Sequence, residues 1–139
     1  VAIDYRATTA EALVAEGVSF DAVVSMEVVE HVADRDSFLA DCVALTRPGG
    51  GLFLATLNRT VKSYAMAIVG AEYILRWLPR GTHDWKRFVR PSELAAALRS
   101  AGADVKTLTG VGYNPMTDTW GLEKGVDVNY MAFAVRRET

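Results

Sequence analysis

Glu27, Glu30 and His31 lie close together in the run Met26-Glu27-Val28-Val29-Glu30-His31-Val32. If the chain turns helical there, spacings of three and four place all three side chains on one face. Two carboxylates and an imidazole could then hold a hard divalent ion such as Mg²⁺, with water in the open positions. No cysteine joins them, which argues against zinc. The same window also reads as a solvated, Glu-rich turn in which His31 packs or hydrogen-bonds. Three ligand-type residues in so short a stretch are common, and spacing alone favours this plainer reading.

Other tokens are weaker. His83 beside Asp84 could be a general base with its orienting partner, although a surface loop is the default for Thr82-His83-Asp84. The same default applies to Tyr113-Asn114-Pro115 and Asp127-Val128-Asn129-Tyr130. The glycines at 49–51 precede an apolar strand, whereas phosphate loops follow one, so they read as a tight turn. Residues 62–78 form a long apolar segment with Lys62 and Arg76 near its ends and aromatics at Tyr64, Tyr73 and Trp77. It fits either a lipid headgroup boundary or a buried helix packed on a sheet.

The elements that must position these residues alternate. Residues 1–5 read as a strand, Thr8 or Thr9 as the cap of a helix running to Glu16, and Gly17 as its stop. Residues 20–26 (FDAVVSM) are apolar on both faces, as an interior parallel strand requires. Residues 37–46 carry a helical stripe with Asp36 as N-cap, and 51–57 (GLFLATL) form the next buried strand. A helix at 62–78 follows. Pro91 and Glu93 then open a helix that continues over 94–101 to Gly102. Residues 103–112 and 129–136 predict a closing antiparallel hairpin with a long insertion. Strand and helix alternate as in a parallel α/β sheet with right-handed crossovers.

Bulk properties narrow the functions. The chain has 139 residues, half of them apolar, and a formal charge of -2. It suits one domain with a real core, and no basic patch points to nucleic acid. One cysteine, Cys42, excludes a disulfide framework and fits a reducing compartment. The start has no signal-peptide pattern, and Glu72 and Arg76 interrupt 62–78 too early for a membrane span. Opening on Val1 in mid-strand, with too few strands to surround 20–26, predicts further elements ahead of this segment.

Several segments together resemble the ubiquinone biosynthesis O-methyltransferase family. They are MEVVEHV, TRPGGGLFLATLNRT, VGAEYILRWLPRGTHDWKRFVRPSEL, GYNPMTDTW and GVDVNY, in matching order along the whole chain. FDAVVSMEVVEHV and PGG mark only the broad class I methyltransferases; the later pieces are more specific. The resemblance implies a Rossmann-like α/β methyltransferase sheet, mostly parallel with a C-terminal antiparallel hairpin. Residues 1–139 would be the C-terminal part of its single domain, with the first two strands and their Gly-rich loop missing.

The implied cofactor is S-adenosylmethionine, contacted by Met26 and, near its adenine, by Thr9 and Ala10. Glu27, Glu30 and His31 match what look like the family's Mg²⁺ ligands, and His31 or His83 would take the proton. The implied acceptor is a polyprenylated phenol or quinol. The resemblance also implies association with a membrane lipid surface through an insertion at about 62–80. That would be the inner face of a bacterial cytoplasmic membrane, or the mitochondrial inner membrane, and the protein could join a ubiquinone-biosynthesis complex. A metal-independent small-molecule methyltransferase and an inactive lipid-binding or assembly module are the alternatives.

Overall fold

The computed structural model describes residues 2–66, 68, 84–114 and 116–138. His83 and most of the expected 62–80 insertion lie outside the described residues.

Helix α1 (Ala10–Ala15) starts at Thr9, whose side chain accepts the amide of Ala12 at 3.2 Å. It ends before Gly17, whose φ of 74° is the left-handed stop expected of glycine. Strand β1 (Phe20–Met26) leads to helix α2 (Arg35–Leu45), capped by Asp34 and not by Asp36. Strand β2 (Thr46–Leu57) starts five residues earlier than its apolar run suggested. The glycines belong to this strand instead of preceding it. The β1–β2 register jumps between Phe20 and Ala22, and a Cβ on Gly50 would lie 2.8 Å from the Asp21 carbonyl. Only glycine allows that close approach.

A short helical turn, α3 (Val61–Ser63), follows β2. Beyond the undescribed stretch comes a 3₁₀ turn at Trp85–Arg87, then helix α4 (Pro91–Ala101). Strands β3 (Ala103–Asn114), β4 (Thr119–Glu123) and β5 (Asn129–Arg136) complete a five-stranded sheet ordered β1-β2-β5-β3-β4. Among these strands only β1 and β2 run parallel; the other pairings are antiparallel. The expected mostly parallel sheet is therefore mixed within the described residues, with the hairpin as predicted. Residues 2–9 form no strand, because no described segment pairs with them.

The core lies on one face of the sheet. Leu39, Cys42 and Val43 of α2 and Leu94 and Leu98 of α4 close on Leu52, Leu54, Ala132 and Ala134. Each such leucine contributes about 1.5–3 kcal/mol by leaving water. The opposite face carries no helix among the described residues. Val24 there is 60% exposed and Phe53 40%, with the Phe53 ring 4.9 Å from that of Phe133. Among the described residues β1 pairs only with β2 and is mostly exposed, in line with the expectation that this segment holds too few strands to surround residues 20–26.

Candidate functional site

Where β1 ends, the chain does not turn helical. Glu27 takes φ 55°, and its amide donates to the Ala55 carbonyl at 3.0 Å, adding one bond to the β1–β2 ladder. Residues 29–31 then form a turn, closed by the His31 amide on the Val28 carbonyl at 2.8 Å and anchored by buried Val29. The shared helical face expected for Glu27, Glu30 and His31 is absent. A left-handed conformation at a non-glycine residue is uncommon and clusters at functional sites.

The turn sends Glu30 inward, where it is only 3% exposed. Thr56 of β2 donates its hydroxyl to Glu30 Oε2 at 2.6 Å, while Oε1 is buried with no hydrogen-bond partner among the described residues. A buried carboxylate oxygen left open in that way suits a bound water or cation. Burial, reinforced by the neighbouring Glu30 charge, pushes the Glu27 carboxyl up to about 7. The two acids are thus brought together. His31 is solvent-exposed, and among the described residues no three His, Cys, Asp or Glu side chains converge as a metal cluster.

A cavity of about 380 Å³ opens beside this pair. Met26 and Glu27 line it at the end of β1, Ala55 and Leu57 at the end of β2, and Trp120 from β4. Ligands in open α/β sheets gather at the carboxyl ends of parallel strands, which is where β1 and β2 place it. Its walls are mainly apolar, and Glu27 is the acidic group among them. Thr9, Ala10, Glu30 and His31 are not in its lining. Thr9 is occupied as the α1 cap.

Loops around the cavity are tied to one another by the backbone. Asn58 donates from its side chain to the Val126 carbonyl at 2.7 Å and from its amide to that of Val128 at 2.9 Å. Trp85 Nε1 donates to the Thr60 carbonyl at 2.9 Å, and its ring meets Tyr64 edge-on at 6.2 Å. Tyr130 donates its hydroxyl to the Val89 carbonyl at 3.0 Å, so this residue of the VNY segment is structural. Glu93 fastens three elements. It pairs with Arg59 after β2, lies 3.6 Å from Arg35 of α2, and accepts the Arg90 amide at the start of α4.

Sequence reasoning missed β4 and gave Trp120 no role of its own, although it closes the GYNPMTDTW segment. The ring stands between Thr119 and Gly121 on a five-residue edge strand that is exposed throughout. Such a strand shows no alternation of apolar and polar residues to find.

This geometry agrees with the comparisons with known proteins. Residues 1–54 match a family model described as a methyltransferase domain. The ubiquinone biosynthesis O-methyltransferase of Parvibaculum lavamentivorans is 60% identical over 134 residues, 96% of this chain and 53% of that protein. The Brucella anthropi protein of the same name is 56% identical, over 96% of this chain and 54% of its own length. Over 96% of its length the chain is thus similar to curated ubiquinone biosynthesis O-methyltransferases, and its first 54 residues match the methyltransferase-domain model.

The chain spans about half the length of those relatives. Its fold matches a S-adenosylmethionine-dependent methyltransferase of Thermotoga maritima with a TM-score of 0.60 at 14% identity, covering 86% of this chain and 57% of the other. It also matches magnesium protoporphyrin IX methyltransferase of Synechocystis PCC 6803, solved with S-adenosylhomocysteine, with a TM-score of 0.57 at 15% identity, covering 89% and 48%. At such identities the likeness is one of fold. The mixed sheet with its C-terminal hairpin thus shares its fold with these two proteins.

Proposed function

We propose that the protein containing this chain transfers a methyl group from S-adenosylmethionine to a phenolic oxygen of a polyprenylated catechol or quinol in ubiquinone biosynthesis. The observation that carries this is the 60% identity to a ubiquinone biosynthesis O-methyltransferase over 96% of the chain. The cavity adjoining Met26 and Glu27 adds to it. S-adenosylmethionine supplies an electrophilic methyl group on its sulfonium. Met26, half-exposed at the end of β1 and lining the cavity, would contact it there. Thr9 and Ala10 keep their proposed place near its adenine.

The acceptor oxygen must reach the methyl carbon in line and shed its proton, because a phenolate is much the stronger nucleophile. Positioning by the cavity walls supplies part of the rate. Glu27 faces the cavity with a carboxyl near neutral pH, suited to accepting that proton. His31, exposed one residue beyond Glu30, and His83 remain the other proposed acceptors.

The Glu27–Glu30 pair also fits a hard divalent ion. Mg²⁺ is ordinarily bound through one or two carboxylates, with water or substrate oxygens in its other positions, and Glu30 Oε1 is a buried oxygen without a partner among the described residues. Glu27 and Glu30 would hold the ion, with His31 as an outer ligand; there it would lower the acceptor's pKa.

In the complete enzyme, excess EDTA should abolish methyl transfer and added Mg²⁺ should restore it. Glu30→Ala should cost far more than Glu123→Ala. Full activity in excess chelator would remove the ion and leave the metal-independent alternative. Membrane association is proposed for the segment near 62–80, on its aromatic and basic flanks. The membrane would be the cytoplasmic membrane's inner face, or the mitochondrial inner membrane.

A further inference from the structure

The cavity that begins at Glu27 does not end near it. Its lining crosses the sheet from β1 through β2, β5 and β3 to Trp120 on β4. That path covers four inter-strand spacings, roughly 19 Å at about 4.8 Å each. Register places these residues on one face. Met26 pairs with Ala55 and Ala55 with Met131, while Tyr113 pairs with Trp120. The end at β1 is acidic and the remainder mainly apolar. A single aromatic ring reacting beside Met26 and Glu27 would fill only the first part of this length.

Trp120 is 68% exposed on an edge strand, where burial does nothing to hold so large a side chain. It is held all the same. Its ring lies 5.1 Å from that of Tyr113 across the β3–β4 pair. Tyr113 in turn donates its hydroxyl to Asp118 at 2.7 Å, and Asp118 takes φ 51° in the turn between the strands. At the same tip, the Asn114 side chain accepts the Met116 amide at 2.9 Å. The hairpin thus presents a braced indole to the far end of the cavity. Aromatic faces fixed in this way contribute contact area at little cost in conformational freedom.

We infer that Trp120 is a specificity-determining residue that reads the apolar substituent of the acceptor, at the opposite end of the cavity from the reacting oxygen. This inference rests on the methyl-transfer reading above, and it commits the cavity to an acceptor carrying a hydrocarbon tail. The β3–β4 hairpin is then a length gauge. Acceptors without a tail leave Trp120 untouched, whereas tailed ones cover it.

The test uses the complete enzyme and two probes, catechol and a catechol bearing a short prenyl chain. Binding is read by equilibrium dialysis and turnover by methyl transfer. Trp120→Ala should weaken binding and raise KM for the prenylated catechol about tenfold, leave kcat within about twofold, and leave untailed catechol unchanged. Trp120→Phe should restore most of the loss. Leu122→Ala, on the same strand and equally exposed but outside this cavity, should change neither probe. An equal loss for both probes, or no loss for either, would overturn the role of Trp120. Dialysis keeps the two readings apart. Tail-selective binding through Trp120 without any methyl transfer by the wild type would defeat the proposed activity and leave this inference standing.

Discussion

Glu27 combines a left-handed backbone with a carboxyl that resists losing its proton. Its pKa rises from 4.5 to about 7 on folding, through burial first and the Glu30 charge second. Between those values the folded chain keeps a proton that the unfolded chain has released, so stability falls as pH rises across that window. The contribution is complete below about 4.5 and gone above about 7. Part of the residue faces solvent, which reduces the effect to about 1–2 kcal/mol. In chelator, Glu27→Gln should therefore gain about that much on the wild type between pH 4.5 and pH 8, measured by urea unfolding. A constant difference would mean that the carboxyl titrates normally. The residue types of this site were legible in the sequence, but their arrangement was not. A spacing of three and four suggested a helix, whereas the ladder bond from Glu27 to Ala55 and the turn at 29–31 buried Glu30 and left His31 outside.

At the scale of elements, α4 and β5 follow from sequence because each has an unambiguous signal. Pro91 and Glu93 open α4, Gly102 at φ 99° closes it, and β5 alternates half-buried and buried residues over 129–134. The α2 cap was misplaced by two residues because Asp34 and Asp36 are equally suited to the role. Strand β4 escaped because its residues answer to a cavity and an edge, not to a core. The element hub is Glu93, which a helix-capping pattern shows only as a cap. Its contacts with Arg59 and Arg35 join α4 to the segment that follows β2 and to the start of α2. Glu93→Ala should destabilise by about 2–3 kcal/mol, because two partly buried guanidinium groups lose their partner along with the cap. Denaturant unfolding checks this. A cost under about 0.5 kcal/mol would show these pairs to be solvent-screened.

At the scale of the whole sheet, α2 and α4 cover one face, and no helix covers the other among the described residues. The covered face holds the core, while the bare one carries Val24, Phe53 and the cavity lining. The segments that carry the family resemblance indicated this fold more firmly than periodicity could, since periodicity alone placed a strand at 1–5, of which residues 2–5 pair with nothing described. Among the described residues no helix is long and apolar enough to cross a membrane. Membrane contact is instead proposed for the segment carrying Tyr64, Tyr73 and Trp77, as a surface association. Trp77→Glu in the complete protein should reduce co-sedimentation with anionic liposomes, and unchanged binding would assign that segment to the protein interior. The most direct measurement of the proposed activity follows labelled methyl from S-adenosylmethionine in the purified complete protein, with a prenylated catechol as acceptor. Label should appear as an aryl methyl ether, depend on the acceptor, and fall sharply with Glu30→Ala. No transfer to a prenylated catechol or quinol, with the protein folded and S-adenosylmethionine bound, would contradict it.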